Sequence, residues 1–253
     1  MKKKLHIKPK ANKPKENSKP SLSKFIAIAG VCSRRKATEL IEQGHVIVNE
    51  VIEREPGRKV GPNDVVRAFG EVVKQQSKIY ILLNKPKDYI TTVSDEKGRR
   101  SVMELIDRPM MQRIYPVGRL DRATTGLLLL TNDGDLTLQL AHPRNHVIKT
   151  YEVTLDSALK HFDFQKIKEG VMLEDGKIVV DDLIYVPGER KNCVAVQVHS
   201  GKNRIVRRIF EHFGYNVKKL DRIGYDRLTK DGLKSGQWRH LTPDEVADLK
   251  RTK

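Results

Sequence analysis

The stretch "GRLDRATTGLLLLTNDGD", residues 118–135, decides how the rest of the chain is read. It sets one carboxylate, Asp121, between Arg119 and Arg122 and a few residues ahead of the apolar run Leu127–Leu130. Four consecutive leucines closed by Thr131-Asn132-Asp133-Gly134 read as a strand buried on both faces and stopped by a turn. A carboxylate at the rim of such a strand loses hydration, and a nearby guanidinium would compensate it. By itself this pattern leaves open a structural ion pair, a loop cap and a reacting acid.

Outward from this stretch, "IYILLNKP", "TYEVTL" and "NCVAVQVHS" read as further strands. "DLTLQLAH", "ALKHFDFQKIKEG" and "RIVRRIFEHFG" read as helices among them. Strands of mixed pattern with scattered helices predict an α+β domain with a large mixed, mostly antiparallel sheet flanked by helices, over residues 79–253. In "VIKTYEVTL" alternation puts Val147, Tyr151, Val153 and Leu155 on one face, so the Tyr151 ring points inward. In the last of the three helices Ile205, Val206, Ile209, Phe210 and Phe213 form the apolar stripe. Arg207 and Arg208 flank that stripe on opposite sides while Arg204 points away. Periodicity therefore lets either flanking arginine reach a buried carboxylate.

The chain has 253 residues, with 49 lysines and arginines against 32 acidic residues and a formal net charge of +17. So large a surplus implies a polyanionic partner, and nucleic acid is the expected one. A membrane surface is the competing polyanion, but no basic amphipathic helix with bulky apolar anchors is evident, and no apolar run reaches the length of a span. The lysine-rich start lacks the apolar segment of a secretory signal, so a cytoplasmic protein is expected. Cys32 and Cys193 are far apart without a partner cluster and read as reduced thiols.

Residues 1–20 carry eight lysines, one glutamate and three prolines and read as a disordered basic tail, either merely solvated or loosely attached to RNA. From Ser21 the pattern becomes helix, helix, then short strands. Leu22, Phe25, Ile26 and Ala29 recur at helical spacing, Ser33 caps "RRKATELIEQG", and "HVIVNEVIE" turns about Asn49-Glu50. Arg34, Arg35 and Lys36 stand in the first turn of the second helix, where cations oppose the helix dipole and an external anion would make the placement worthwhile. "SKFIAIAGVCSRRKATELIEQGHVIVN" resembles the S4 RNA-binding domain, over residues 21–69. The resemblance makes Lys24, Arg34, Arg35 and Lys36 expected RNA contacts. The polar stretch 70–78 reads as a linker between two domains.

Motifs that would supply other chemistry are missing. No G-x-x-x-x-G-K-[ST], no G-x-G-x-x-G after a strand and no G-x-S-x-G occurs. The histidines lack metal-ligand spacing, since Pro143 spoils the pair His142 and His146. No metal and no cofactor are expected, and any catalysis must run on carboxylate, arginine, lysine and tyrosine.

"GRLDRATTGLLLLTNDGD" is similar to the signature loop of pseudouridine synthases of the RsuA/RluB/RluE/RluF family, G-R-L-D-x-x-T-x-G-L-L-L-L-T-N-D-G. "LLNKP" resembles that family's opening strand, "KTYEV" its tyrosine strand, "GKNRIVRRIFEHFG" its basic helix and "GLKSGQWRHLTPDE" its C-terminal end. Carried over residue by residue, the resemblance implies that Asp121 is the catalytic aspartate, that Tyr151 stacks on the target base, and that Arg207 pairs with the aspartate. Arg119, beside Asp121, is expected at the substrate too. Lys202, Arg204 and Arg208 are expected phosphate contacts. One departure is visible: the family's glycine two residues after "NKP" is replaced, with Lys87 and Asp88 following Pro86.

The implied reaction is an isomerisation in which uracil is cut from C1′ at N1, turned, and rejoined through C5. The expected enzyme is an rRNA pseudouridine synthase, acting as a monomer on a flipped-out uridine. Within the family "GKNRIVRRIFE" is most like the RluB type, which acts on large-subunit (23S) rRNA. A small-subunit target, an inactive RNA-binding or ribosome-assembly protein, and an RNA glycosidase releasing uracil are the alternatives. Joint retention of Asp121, Tyr151 and Arg207 argues against a mere binder, since binding RNA needs no carboxylate facing it.

Overall fold

Two serines decide where the first helices begin. The computed structural model describes residues 19–107 and 114–252. Ser21 accepts a hydrogen bond from the Lys24 amide (3.4 Å) and starts α1, Leu22–Ile28; Ser33 accepts from the Lys36 amide (3.2 Å) and starts α2, Arg34–Glu42. β1 (Val46–Val48) and β2 (Val51–Ile52) follow as a hairpin, with Asn49 and Glu50 both at positive φ, as a two-residue turn of this kind demands. β3 (Val66–Ala68) and β4 (Glu71–Val72) complete a sheet of order β2-β1-β3-β4. One face of β1 and β3 (Val46, Val48, Val66, Ala68) packs on Leu22, Ile26, Ala37, Leu40 and Ile41 of the helices, forming a core of its own.

The chain divides into two compact units after Gln76. Part of the stretch expected to be a linker therefore belongs to the first unit. Glu71 and Val72 pair with Ala68 and Arg67, and Val73 is buried in that unit's core. A two-residue strand is too short to show a period, which is why 70–73 reads as polar connection. The expected basic tail lies outside the described residues up to position 18; Pro20 already belongs to the fold, its carbonyl accepting from the Val60 amide at 2.9 Å.

The second unit comprises β5 (Tyr80–Lys85), β6 (Tyr115–Pro116), β7 (Thr125–Thr131), α3 (Gly134–Ala141), β8 (Lys149–Leu155), α4 (His161–Glu169), β9 (Val171–Leu173), β10 (Gly176–Ile178), β11 (Asp182–Tyr185), β12 (Cys193–Val198), α5 (Ile205–His212), β13 (Val217–Tyr225), β14 (Leu228–Thr229), β15 (Trp238–His240) and α6 (Pro243–Arg251). Its large sheet runs β11-β12-β8-β13-β7-β5-β15, with β14 on β13 and β6 on β7; among the described residues, β13 and β7 are the one pair of its strands that run in parallel. The fold is α+β with a mixed, mostly antiparallel sheet. Neither cysteine forms a disulfide; Cys193 is buried and Cys32 half-buried.

β7 shows why a run of leucines is needed. Leu127 and Leu129 pack into one cluster with Leu136 and Leu140 of α3 and Leu249 of α6. Leu128 and Leu130 pack into another on the opposite face with Val102, Met103 and Ile114. Alternation would leave one face polar; burial on both removes it. The strand ends where Asn132 accepts from the Ile79 amide (2.8 Å) and Asp133 takes Lys78 Nζ (2.9 Å) and Tyr80 Oη (2.8 Å). A third core joins Val153 and Leu155 of β8 to Ile205, Val206, Ile209 and Phe210 of α5. Val147 precedes β8 and packs with the Leu127 cluster instead, so it does not share the face expected for it.

Candidate active site

Asp121 sits in the loop between β6 and β7, and that loop is tied down from below. Thr91 clamps Leu120, its Oγ1 donating to the Leu120 carbonyl (2.9 Å) and accepting from the Leu120 amide (3.2 Å). Lys85, the last residue of β5, is completely buried, and its Nζ donates to the carbonyls of Thr124 (2.7 Å), Pro86 (3.0 Å) and Arg122 (3.3 Å). Burial pulls this ammonium down to about 8, with Asp88 and Asp121 opposing. The Asp88 amide donates to the Arg122 carbonyl (2.9 Å), and its carboxylate lies 3.3 Å from the Arg122 guanidinium. Asp88 has φ 71°, a left-handed conformation that glycine takes freely and aspartate tolerates. Replacement of the expected glycine is thus absorbed at a position whose backbone explains why glycine suits it.

Above the loop lies a cavity of about 930 Å³ lined by Asp121, Tyr151, Lys149, Arg204, Arg222 and Tyr225 among others. Its size falls within the usual range for ligand sites. Tyr151 is half-buried on β8, with packing neighbours in two of the apolar clusters. Lys149, two residues earlier, donates to the His199 carbonyl at 2.7 Å, and burial, with Arg222 acting in the same sense, lowers it to about 8. Tyr225 is buried and held up at about 12.

The partner of Asp121 differs from the expected one. Arg204 Nη1 stands 3.9 Å from Asp121 Oδ2, and the same guanidinium donates to Glu211 at 3.1 Å. Arg207 is buried beneath and donates to the Val217 carbonyl at 2.9 Å. Burial lowers the Arg207 guanidinium, Arg204 acts in the same direction, and Asp121 opposes both. Arg207 therefore feels Asp121 without closing the ion pair. Arg204 was expected to point away because a helical period was extended to it. It is instead the cap residue before α5, at φ 48°, outside the helix, and its side chain turns towards the cavity. Asp121 itself is not sealed from solvent, its side chain being 37% exposed.

The remaining basic residues are placed as follows. Arg119 is exposed at the cavity wall. Lys202 and Arg208 converge on Asp175 in the turn between β9 and β10: Arg208 forks onto its two oxygens (2.7 and 3.0 Å) and Lys202 Nζ donates to its carbonyl (2.6 Å). Arg208 holds the Asp175 carboxyl down at about 2. In the first unit Arg34, Arg35 and Lys36 are exposed at the start of α2, with Lys36 2.8 Å from Glu39, and Lys24 is half-buried on α1. Sequence reasoning passed over Lys85, Lys149 and Arg222. The available signal was a cation closing a largely apolar strand, "YILLNK", for Lys85; "VKKLDRIGY" carries four charged residues and singles out none of them.

A single carboxylate in a cationic cavity, on a mixed sheet and in a chain that also carries a helix-helix-strand module, defines an RNA-modifying class of protein. The family model for RNA pseudouridylate synthase matches residues 79–212, and that for the S4 domain matches residues 21–66. The ribosomal large subunit pseudouridine synthase B of Bacillus subtilis (strain 168) is 41% identical over 232 residues, covering 90% of this chain and 95% of its own. The dual-specificity RNA pseudouridine synthase RluF of Escherichia coli (strain K12) is 34% identical over 236 residues, covering 92% and 79%. A crystal structure of a pseudouridylate synthase superposes with a TM-score of 0.65 at 28% identity, covering 90% of this chain and 99% of that one. The chain belongs to the RNA pseudouridylate synthase family, with an S4 domain at its N-terminal side. It is an isomerase that binds RNA.

Proposed function

We propose that the protein converts a uridine of large-subunit ribosomal RNA to pseudouridine, with Asp121 acting at the ribose of a flipped-out nucleotide. The observation that carries this reading is the placing of Asp121 in one cavity with Tyr151, under a guanidinium 3.9 Å away. The large-subunit target is supported by the name of the Bacillus subtilis relative. The dual-specificity relative favours a second reading in which more than one RNA is modified.

Breaking the N1–C1′ bond leaves positive character on the sugar, which a fixed carboxylate stabilises or captures. Arg204 and Arg207 keep that carboxylate oriented and balance its charge before the sugar arrives. Flipping a base out of folded RNA costs a few kcal/mol, and stacking on Tyr151 returns about 1–3 kcal/mol of it. Phosphates of the bound strand would be met by Arg119 and Arg204 at the cavity, by Lys202 and Arg208 beside Asp175, and in the S4 unit by Lys24, Arg34, Arg35 and Lys36.

The test incubates the protein and its Asp121→Asn variant with unmodified large- and small-subunit rRNA and maps pseudouridine chemically. Wild type is expected to modify large-subunit RNA, and the variant to bind RNA without modifying it. Equal modification by both proteins would remove Asp121 from the reaction. Modification confined to the small subunit would remove the proposed target.

A further inference from the structure

Arg222 is 3% exposed in the middle of β13. Its Nε donates to the Leu127 carbonyl at 2.6 Å. Its Nη2 is buried and has no hydrogen-bond partner. The adjacent carboxylate cannot serve, because Asp221 is engaged by Lys230 and by Thr125 Oγ1 (2.7 Å). Its neighbour Lys149 adds repulsion: the nearness of Arg222 helps lower that lysine. A buried cationic donor left without an acceptor is costly, so native proteins rarely keep one without a use.

Its place points to the use. Arg222 is paired in register with Tyr151 across β13 and β8, so the two side chains share one face of the sheet, and both line the cavity that holds Asp121. The Tyr225 ring lies 5.0 Å from the guanidinium carbon. Among the described residues, the buried side-chain N and O atoms without partners are Thr124 Oγ1, Arg207 Nε and Arg222 Nη2. Thr124 and Arg222 line this cavity, and Arg207 feels the charge of Asp121. Unmet hydrogen-bonding capacity is thus gathered around the place where a nucleotide would sit.

We infer that Arg222 contacts the substrate: its free Nη2 donates to a carbonyl oxygen of the uracil stacked on Tyr151 and holds the negative charge that departs with the base. This rests on the Asp121 reading of the cavity. When N1–C1′ breaks, the bonding pair stays with the base, and its charge spreads over N1, O2 and O4. After the base turns, a pair from the ring forms C5–C1′, the C5 proton is lost and N1 gains one, so the product is an isomer. Arg222 keeps its own protons throughout. A phosphate is a poorer occupant, because the exposed cations Arg119 and Arg204 stand where a hydrated phosphate would stay, while Arg222 is enclosed. A donor fixed before charge develops needs no reorganisation at the moment of reaction.

The test uses the full chain and a synthetic RNA carrying uridine, 2-thiouridine or 4-thiouridine at the modified position, under single-turnover conditions. Sulfur accepts hydrogen bonds poorly, so one thio substitution should slow wild type relative to uridine. In Arg222→Met that discrimination should vanish, and the rate on uridine should fall about 100-fold, while RNA affinity stays near wild type. Arg222→Lys keeps the charge and loses the fork; it should retain part of the rate and show weakened discrimination, and it serves if Arg222→Met does not fold. Unchanged thio discrimination in the folded variants, or a loss residing wholly in RNA affinity, would overturn the inference. Failure of the Asp121 reading would show separately, as an active Asp121→Asn variant that still discriminates against the thio base.

Discussion

Arg204, and not the helical Arg207, is the guanidinium that reaches Asp121, at 3.9 Å. The two arginines divide the work: Arg204 is 44% exposed and shares its charge with Glu211, while Arg207 is buried and bonded to the Val217 backbone. Arg204→Met should leave stability within about 0.5 kcal/mol of wild type, as loose exposed pairs do. Arg207→Met should cost about 1–3 kcal/mol, since it removes a buried donor. Both should slow single-turnover isomerisation. Thermal melts read the contrast, and a lower melting point for Arg204→Met would contradict this division.

Lys85 acts on Asp121 through the loop. Replacing it by methionine takes this donor from the Thr124 and Pro86 carbonyls, while the Arg122 carbonyl keeps the Asp88 amide, at about 1–3 kcal/mol. The expected signature is a large fall in kcat with RNA affinity nearly kept, measured by turnover and by filter binding. Weakened RNA binding at normal kcat would assign Lys85 elsewhere.

Buried Lys85 and half-buried Lys149 also set a pH dependence. Lys85 and Lys149 drop from 10.5 to about 8 in the folded protein, so between those values the unfolded chain holds protons that the folded one has shed. Stability therefore gains from each group as pH rises from about 8 towards 10.5, and below about 8 the burial penalty is present in full. Urea unfolding of wild type and Lys149→Met should show wild type gaining relative stability across this window. A gain on going down in pH would reverse the sign and refute the assignment.

Gly126 is where β13 comes against β7. It has φ 101°, and a Cβ there would meet the Arg222 backbone oxygen at 2.3 Å and nitrogen at 2.5 Å. Gly126→Ala should cost about 4 kcal/mol or more, because the parallel pairing must open. Gly118→Ala, at φ 75° with nothing within 4 Å, should cost only about 1–2 kcal/mol of backbone strain. Denaturant titration of the two variants distinguishes them.

Asp175 holds two proposed phosphate contacts, Lys202 and Arg208. Asp175→Asn should release Arg208 and remove the charge beside Lys202, whose hydrogen bond to the Asp175 backbone carbonyl stays, raising RNA affinity at low salt and steepening the salt dependence by about one counterion. An unchanged slope in a binding titration would mean that these cations serve the fold alone.

Local patterns account for what the sequence determined. Four leucines predict a strand buried on both sides, Ser21 and Ser33 mark helix starts, Asn49-Glu50 marks a hairpin, and the +17 charge marks a polyanionic partner. The signature around Asp121 was legible through its likeness to the pseudouridine synthase loop, since the residue pattern by itself leaves a structural ion pair, a loop cap and a reacting acid open. What the sequence left undecided depends on contacts far along the chain. β13, whose "VKKLDRIGY" carries no clean period, becomes a central strand only because β7 and β8 flank it. The choice of Arg204 over Arg207 turns on one residue leaving the helical conformation, which periodicity cannot register. The unpaired Nη2 of Arg222 stands where Tyr151, Leu127 and Tyr225 meet, residues brought together by strand order and by no local propensity.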